Sequence, residues 1–270
     1  MVRRPGVAAS RRAAARGDRA VFAALDLGTN NCRLLVAERA SGPQTFRVLD
    51  GFSQIVRLGE GVSQSGRLGA VPMSRAHEAL ARCAARLQHY PLAQVRAVAT
   101  EACRAAANGP AFLRDVTDRT GLNFITIPAA EEAALSALGC ADLIVPGAEV
   151  ALVVDVGGGS TEFTWVDAVA ARAAVRTGAI EPAILAWMSL PIGVVTLAEA
   201  AQGGEDHPRL RGIVRRANQA APEAAANAQL FERPPRMLIG ASGAVTSLAG
   251  VALGLTRYSR ARVDGIWLSA

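Results

Sequence analysis

The chain has 270 residues, 51% of them hydrophobic and 19% charged, and a formal net charge of +6. That length accommodates two domains with ordinary cores, and no uninterrupted apolar run reaches the roughly 18 residues that a bilayer-spanning helix requires. Every basic residue other than histidine is arginine, which excludes a Walker-type Gly-Lys-Ser/Thr loop and lysine Schiff-base or general-base chemistry.

Most of the charge lies at the start. Arg3, Arg4, Arg11, Arg12, Arg16 and Arg19 against Asp18 give the first twenty residues a balance of +5. Residues 1–20 are therefore expected to form a disordered basic tail, weak attraction to a polyanion being the sharper alternative. The tail has paired arginines but no apolar run before a cleavage site, so no export signal is expected. Cys32, Cys83, Cys103 and Cys140 lack metal-ligand spacing; scattered thiols point to a reducing compartment, and the cytoplasm fits.

Residues 21–37 read VFAALDLGTNNCRLLVA: an apolar strand ending in Asp26, a turn through Gly28, Thr29, Asn30 and Asn31, then a second apolar strand. Residues 45–58 alternate well enough for a third strand or pair of strands. Residues 59–72, rich in glycine and serine, are expected to be a loop, and Ser74 to cap a helix running to about His89. A short buried strand over 95–100 leads into a polar turn and helix carrying Glu101, Arg104 and Asn108. Pro110 starts a further helix that ends before Gly121, and 124–127 is another strand. Pro128 stops it, and residues 129–143 form a helix that opens with Glu131 and Glu132. Acids in a first turn complement the helix dipole; the alternative is that one of them is a general base.

The second half begins after Pro146-Gly147. Residues 151–163, ALVVDVGGGSTEF, repeat the first pattern: a buried strand ending in Asp155, a turn through Gly157, Gly158 and Gly159, and a strand with Ser160, Thr161 and Glu162. Three consecutive glycines remove every Cβ from the turn, so backbone N–H groups can converge on one anion, and phosphate is the expected one. Asp155 and Glu162 place carboxylates near that turn, where they can hold a divalent cation. A solvated glycine hairpin is the plainer reading of the turn alone. A strand is expected over 173–177, a short helix after Pro191-Ile192-Gly193-Val194, and a helix over 208–230 whose Arg211, Arg215 and Arg216 line one face, solvated or anion-attracting. A third glycine turn, through Ser242 and Gly243, follows an apolar strand and opens an apolar helix. His77, His89 and His207 are isolated. The repeat predicts two related domains facing each other across a phosphate site.

Six stretches in order, 25–37, 95–113, 127–139, 151–163, 189–199 and 238–249, make the sequence similar to the exopolyphosphatase and guanosine-pentaphosphate phosphatase family of the actin-like ATPase superfamily. The resemblance implies an α/β protein of two ribonuclease-H-like domains, over 21–145 and 146–270, with an interdomain cleft and a second domain that is short at its C-terminus relative to the family. It implies Mg²⁺-assisted removal of the terminal phosphate from inorganic polyphosphate or pppGpp. On the matching positions, Glu132 falls on the family's general base and Arg104 on its cleft arginine. Gly28, Thr29 and Asn30 fall on the first phosphate loop, and Gly157, Gly158, Gly159 and Ser160 on the second. Asp26, Asp155 and Glu162 fall on the loop acids. Ser242 and Gly243 join the phosphate-binding set. The chain departs from the family where Pro128, Ala129 and Ala130 precede the acid pair. Polyphosphate or a guanosine penta- or tetraphosphate is the expected partner, with room for a homodimer and no membrane or specific nucleic acid. The competing readings are an ATP-using kinase or ATPase of the same superfamily and a non-catalytic alarmone or polyphosphate sensor.

Overall fold

The computed structural model describes residues 20–40, 46–202, 208–227 and 233–268; the basic tail lies outside them. Two sheets organise the chain. In the first, β1 (Val21–Leu27), β2 (Asn31–Arg39) and β3 (Phe46–Ile55) form an antiparallel meander, and β4 (Leu92–Ala99) and β5 (Phe124–Thr126) add parallel strands in the order β3-β2-β1-β4-β5. In the second, β6 (Val150–Val156), β7 (Thr161–Asp167) and β8 (Ile184–Leu190) repeat the meander, and β9 (Met237–Ala241) lies parallel to β6 in the order β8-β7-β6-β9.

The alternation in β1 sends Val21, Ala23, Leu25 and Leu27 into one core. Helices α2 (Ala70–Leu87) and α4 (Gly109–Thr120) cover that face with Leu80, Cys83, Phe112 and Val116; α1 (Val62–Ser65) and α3 (Glu101–Ala105) are single turns beside it. Burying a side chain such as Leu25, Leu27, Leu58 or Leu80, all fully enclosed, stabilises the fold by about 1.5–3 kcal/mol each. The second core is alanine-rich: Ala134, Ala137 and Cys140 of α5 (Ala129–Cys140) and Ala171 and Ala174 of α6 (Ala168–Thr177) pack on Ala151, Val153 and Val166. Small side chains let both helices approach the strands closely. The second core thus takes in α5 and Ile144, ahead of the expected division at 145/146, and the helix bearing Glu132 is carried by the second sheet.

Three sequence expectations are corrected. Residues 173–177 are helical, not a strand: Asp167 Oδ1 accepts the N–H groups of Val169 (3.1 Å) and Ala170 (3.0 Å), and Gly178 ends the helix in the left-handed region at φ 73°. Helix α2 begins at Ala70 rather than at a Ser74 cap, because Pro72 sits in its first turn, where a missing N–H costs nothing. The loop expected over 59–72 accordingly contains α1 and the start of α2. Strand β8 is an element that the sequence reading did not contain.

Candidate active site between the two glycine loops

Strands β1, β4, β6 and β9 all end at one place. Gly28–Asn31 after β1, Thr100 after β4, Gly157–Ser160 after β6 and Ser242–Ala244 after β9 line a single cavity of about 700 Å³. The loops that close it are in direct contact. A Cβ on Gly158 would stand 2.8 Å from the Asn30 nitrogen and 2.9 Å from Thr29 Cβ, and one on Gly159 2.8 Å from Thr29 Oγ1. Behind the second loop, Val194 and Val195 N–H donate to the carbonyls of Gly157 (3.0 Å) and Gly158 (2.8 Å) at the start of α7 (Val194–Ala201). Gly193 is as tightly held, its Cβ position lying 2.5 Å from Gly158 O. Among the described residues the N–H groups of Gly158 and Gly159 meet no protein acceptor, so they remain donors for an anion in the cavity.

The expected residues divide into wall and backing. Asp26, Gly28, Thr29, Asn30, Glu132, Asp155, Gly157, Gly158, Gly159, Ser160, Ser242 and Gly243 are on the cavity wall. Ser242 has φ 76°, a left-handed conformation rare for a non-glycine residue, and its hydroxyl donates to the Val156 carbonyl. It opens α8 (Ser242–Ala252), whose first turn carries no side-chain cap.

Glu162 and Arg104 stand behind the wall. Glu162 is 2% exposed and accepts from Ser189 Oγ at 2.7 Å; burial raises its proton affinity, against hydrogen bonds from Ser189 and Ser160. Arg104 does not line the cavity. Its Nη2 donates to Glu101 Oε2 at 2.6 Å and Nη1 to the Ile127 carbonyl at 2.7 Å, while both reach Glu132 Oε2 at 3.3 Å. Of the expected Asp26, Asp155 and Glu162 set, the first two are on the cavity wall and Glu162 stands behind it.

Electrostatics follow from this layout. Burial raises Asp26, the neighbouring Arg33 guanidinium opposes the rise, and the Asp155 charge adds to it. Asp155 accepts from Ser136 Oγ at 2.7 Å. Glu132 is pushed up to about 7, first by burial and then by the Glu162 charge, with Arg104 pulling it down. The Pro128 lead-in does not displace it, since Glu131 and Glu132 N–H both donate to Pro128 O at 3.1 Å in a regular first helical turn.

Several wall residues escaped the sequence reading. Arg33 pairs across the hairpin with Asp26, a register that counting back from the turn reveals. Ile55, Leu248 and Val251 are apolar residues on the wall, exposed at 62%, 67% and 78%. Two bridges tie the halves away from the cavity wall: Arg96 to Glu131, and Glu199 Oε1 and Oε2, which accept from Gly61 N (2.7 Å) and Ser63 Oγ (2.6 Å).

Comparison with known proteins places this architecture. A solved exopolyphosphatase-like protein is 27% identical with a TM-score of 0.74, the match covering 89% of this chain and 71% of that one. An Aquifex aeolicus member of the Ppx/GppA family is 25% identical, with a TM-score of 0.65 and coverage of 90% and 73%. An exopolyphosphatase from Cytophaga hutchinsonii, 22% identical over 87% and 70%, shares the fold at a TM-score of 0.69. The α/β fold that the resemblance implies is the observed one, with one sheet to each repeated hairpin. The model of the Ppx/GppA phosphatase family matches residues 35–252, from within β2 through the second hairpin and the third glycine turn, and the chain belongs to that family.

Proposed function

We propose that the protein removes the terminal phosphate of a phosphate chain by in-line attack of a water that Glu132 deprotonates. The observation that carries this reading is Glu132 itself. It lies on the wall of the cavity that both glycine loops line, and its proton affinity is raised to about 7. A base poised there is charged enough at neutral pH to take a proton and basic enough to hold it. The terminal phosphoryl oxygens sit against the N–H groups of Gly158 and Gly159, the first turn of α8 and the Arg33 guanidinium, which offset the charge developing on them. Arg104 acts on Glu132 rather than on phosphate, holding the carboxylate toward the cavity.

A divalent cation fits the wall. Asp26 and Asp155 offer oxygen donors, and the charge of Asp155 adds to the burial that raises Asp26, a strain that a cation relieves. Two carboxylates with the remaining positions left to water and phosphate oxygens suit Mg²⁺. When bound, Mg²⁺ would neutralise charge on the phosphate chain. Glu162, buried behind the wall, is left to support Glu132 electrostatically.

The exposed apolar wall residues Ile55, Leu248 and Val251 support a nucleotide over a bare inorganic chain. A nucleoside gives those side chains something to cover and polyphosphate does not, so pppGpp is the preferred substrate in this reading. The test is phosphate release with Mg²⁺ from pppGpp and from long-chain polyphosphate, for the native chain and Glu132→Gln, with binding followed by calorimetry. Turnover should fall about 10²- to 10⁴-fold in the variant while binding persists. Binding without release by the native chain would instead leave a sensor, and faster release from polyphosphate would overturn the nucleotide preference.

A further inference from the structure

Arg104 serves two carboxylates unequally. Glu101 Oε2 takes Nε at 3.1 Å and Nη2 at 2.6 Å, whereas Glu132 Oε2 receives only 3.3 Å contacts. The three side chains are similarly enclosed, at 22–24% exposure, so differing solvation does not explain the asymmetry. Glu101 has a second neighbour. A Cβ on Gly159 would lie 3.2 Å from Glu101 Cγ, so the stem of Glu101 abuts the second phosphate loop while its head holds the arginine. An acid in the first turn of α3 with an arginine three residues on is an ordinary helical pair. One that also touches the opposing loop and competes for the partner of a cavity acid is not.

We propose that Glu101 is a positioning residue for hydrolysis: it draws the Arg104 guanidinium to itself, leaves Glu132 loosely paired, and ties that state to the seating of the Gly157–Ser160 loop. This rests on Glu132 being the base. The charges that act on Glu132 are Arg104 from α3, which contacts it, and Glu162 from β7 and Asp26 from β1, while Glu131 on its own helix is paired with Arg96 of β4. Among them only Arg104 opposes the raised proton affinity, so its position governs how basic Glu132 is. Without the Glu101 charge, the guanidinium should close on Glu132.

The experiment is the pH dependence of phosphate release from pppGpp with Mg²⁺ by the native chain, Glu101→Gln, Glu101→Asp and Glu132→Gln. Glu101→Gln should move the acid limb of kcat/KM down by about one pH unit and lower the plateau kcat about tenfold, as a weaker base works less well, while KM changes little. Glu101→Asp keeps the charge at shorter reach and should recover part of the limb position. An unmoved limb in Glu101→Gln, or an equal shift in both variants, overturns the proposal. Should Glu101→Gln fail to fold by circular dichroism, Glu101→Asp decides: a downward limb shift with unchanged KM supports it, and a native limb overturns it. Native turnover in Glu132→Gln would sink the general-base reading itself, whatever the Glu101 variants do.

Discussion

In the first hairpin the acid ending the strand, Asp26, stands opposite Arg33; in the second, Asp155 stands opposite Glu162. The glycines differ in the same way. Gly28 and Gly157 do one job in both, since a Cβ on either would crowd a carbonyl of its own turn, Asn31 O at 3.3 Å or Ser160 O at 3.1 Å. Gly158 and Gly159 have no glycine counterpart in the first hairpin, where Thr29 and Asn30 stand, and their Cβ positions fall on those two residues. One loop is bare because the other is not. The consecutive glycines therefore serve loop-to-loop contact as well as access for an anion, and the hairpins divide the charge: a cation on the first wall, a buried acid behind the second.

The largest break in this division should come from Gly158→Ala. The added methyl meets the Asn30 backbone nitrogen and the Thr29 and Asn30 Cβ atoms within 2.9 Å, none of which is the end of a flexible side chain. Overpacking of this kind costs about 1–3 kcal/mol, and displacing the loop by an ångström should reduce turnover about a hundredfold. Gly28→Ala, with 3.3 Å available, should keep most of both. Thermal melting and phosphate release on the pair check it; equal effects would mean that the loops are not in contact in solution.

Next in size is Arg33→Ala. A hydrogen bond to a charged group contributes about 1.5–3 kcal/mol, so KM should rise about ten- to a hundredfold with a smaller change in kcat. Losing the one neighbouring charge that opposes the effect of burial should also raise Asp26 further. Initial-rate kinetics separate these: an unchanged KM would remove Arg33 from the binding wall.

The hairpins were legible because their information is local: apolar alternation, an acid and a glycine turn within about fifteen residues. The same locality brings Gly28–Asn30, Gly157–Ser160 and Ser242–Gly243 to one wall, since each follows its strand directly. What the sequence does not carry depends on partners distant along the chain. Glu162 reads as a loop acid until β8 is present, because Ser189 of that strand is what holds it behind the wall. Arg104 reads as a phosphate clamp until the Ile127 carbonyl and Glu101 are seen to occupy its donors. The strand expected over 173–177 lost to an Asp167 cap and an alanine-rich run, which favour helix over extended backbone.

The smallest effect tests the electrostatic half of the comparison. Glu132 is raised to about 7 by burial first and by the Glu162 charge second, with Asp26 contributing least. Its working form is the carboxylate, so kcat/KM should be at its plateau above about 7 and fall as pH drops through that value. Glu162→Gln removes a negative neighbour without changing the volume behind the wall, which stabilises the charged form of Glu132 and moves the limb to lower pH. Asp26→Asn, by contrast, removes one of the two carboxylates assigned to Mg²⁺, so its main effect should be a raised Mg²⁺ requirement. If Glu162→Gln left the limb in place, the buried acid opposite Asp155 would have only the structural role that its bond to Ser189 already provides.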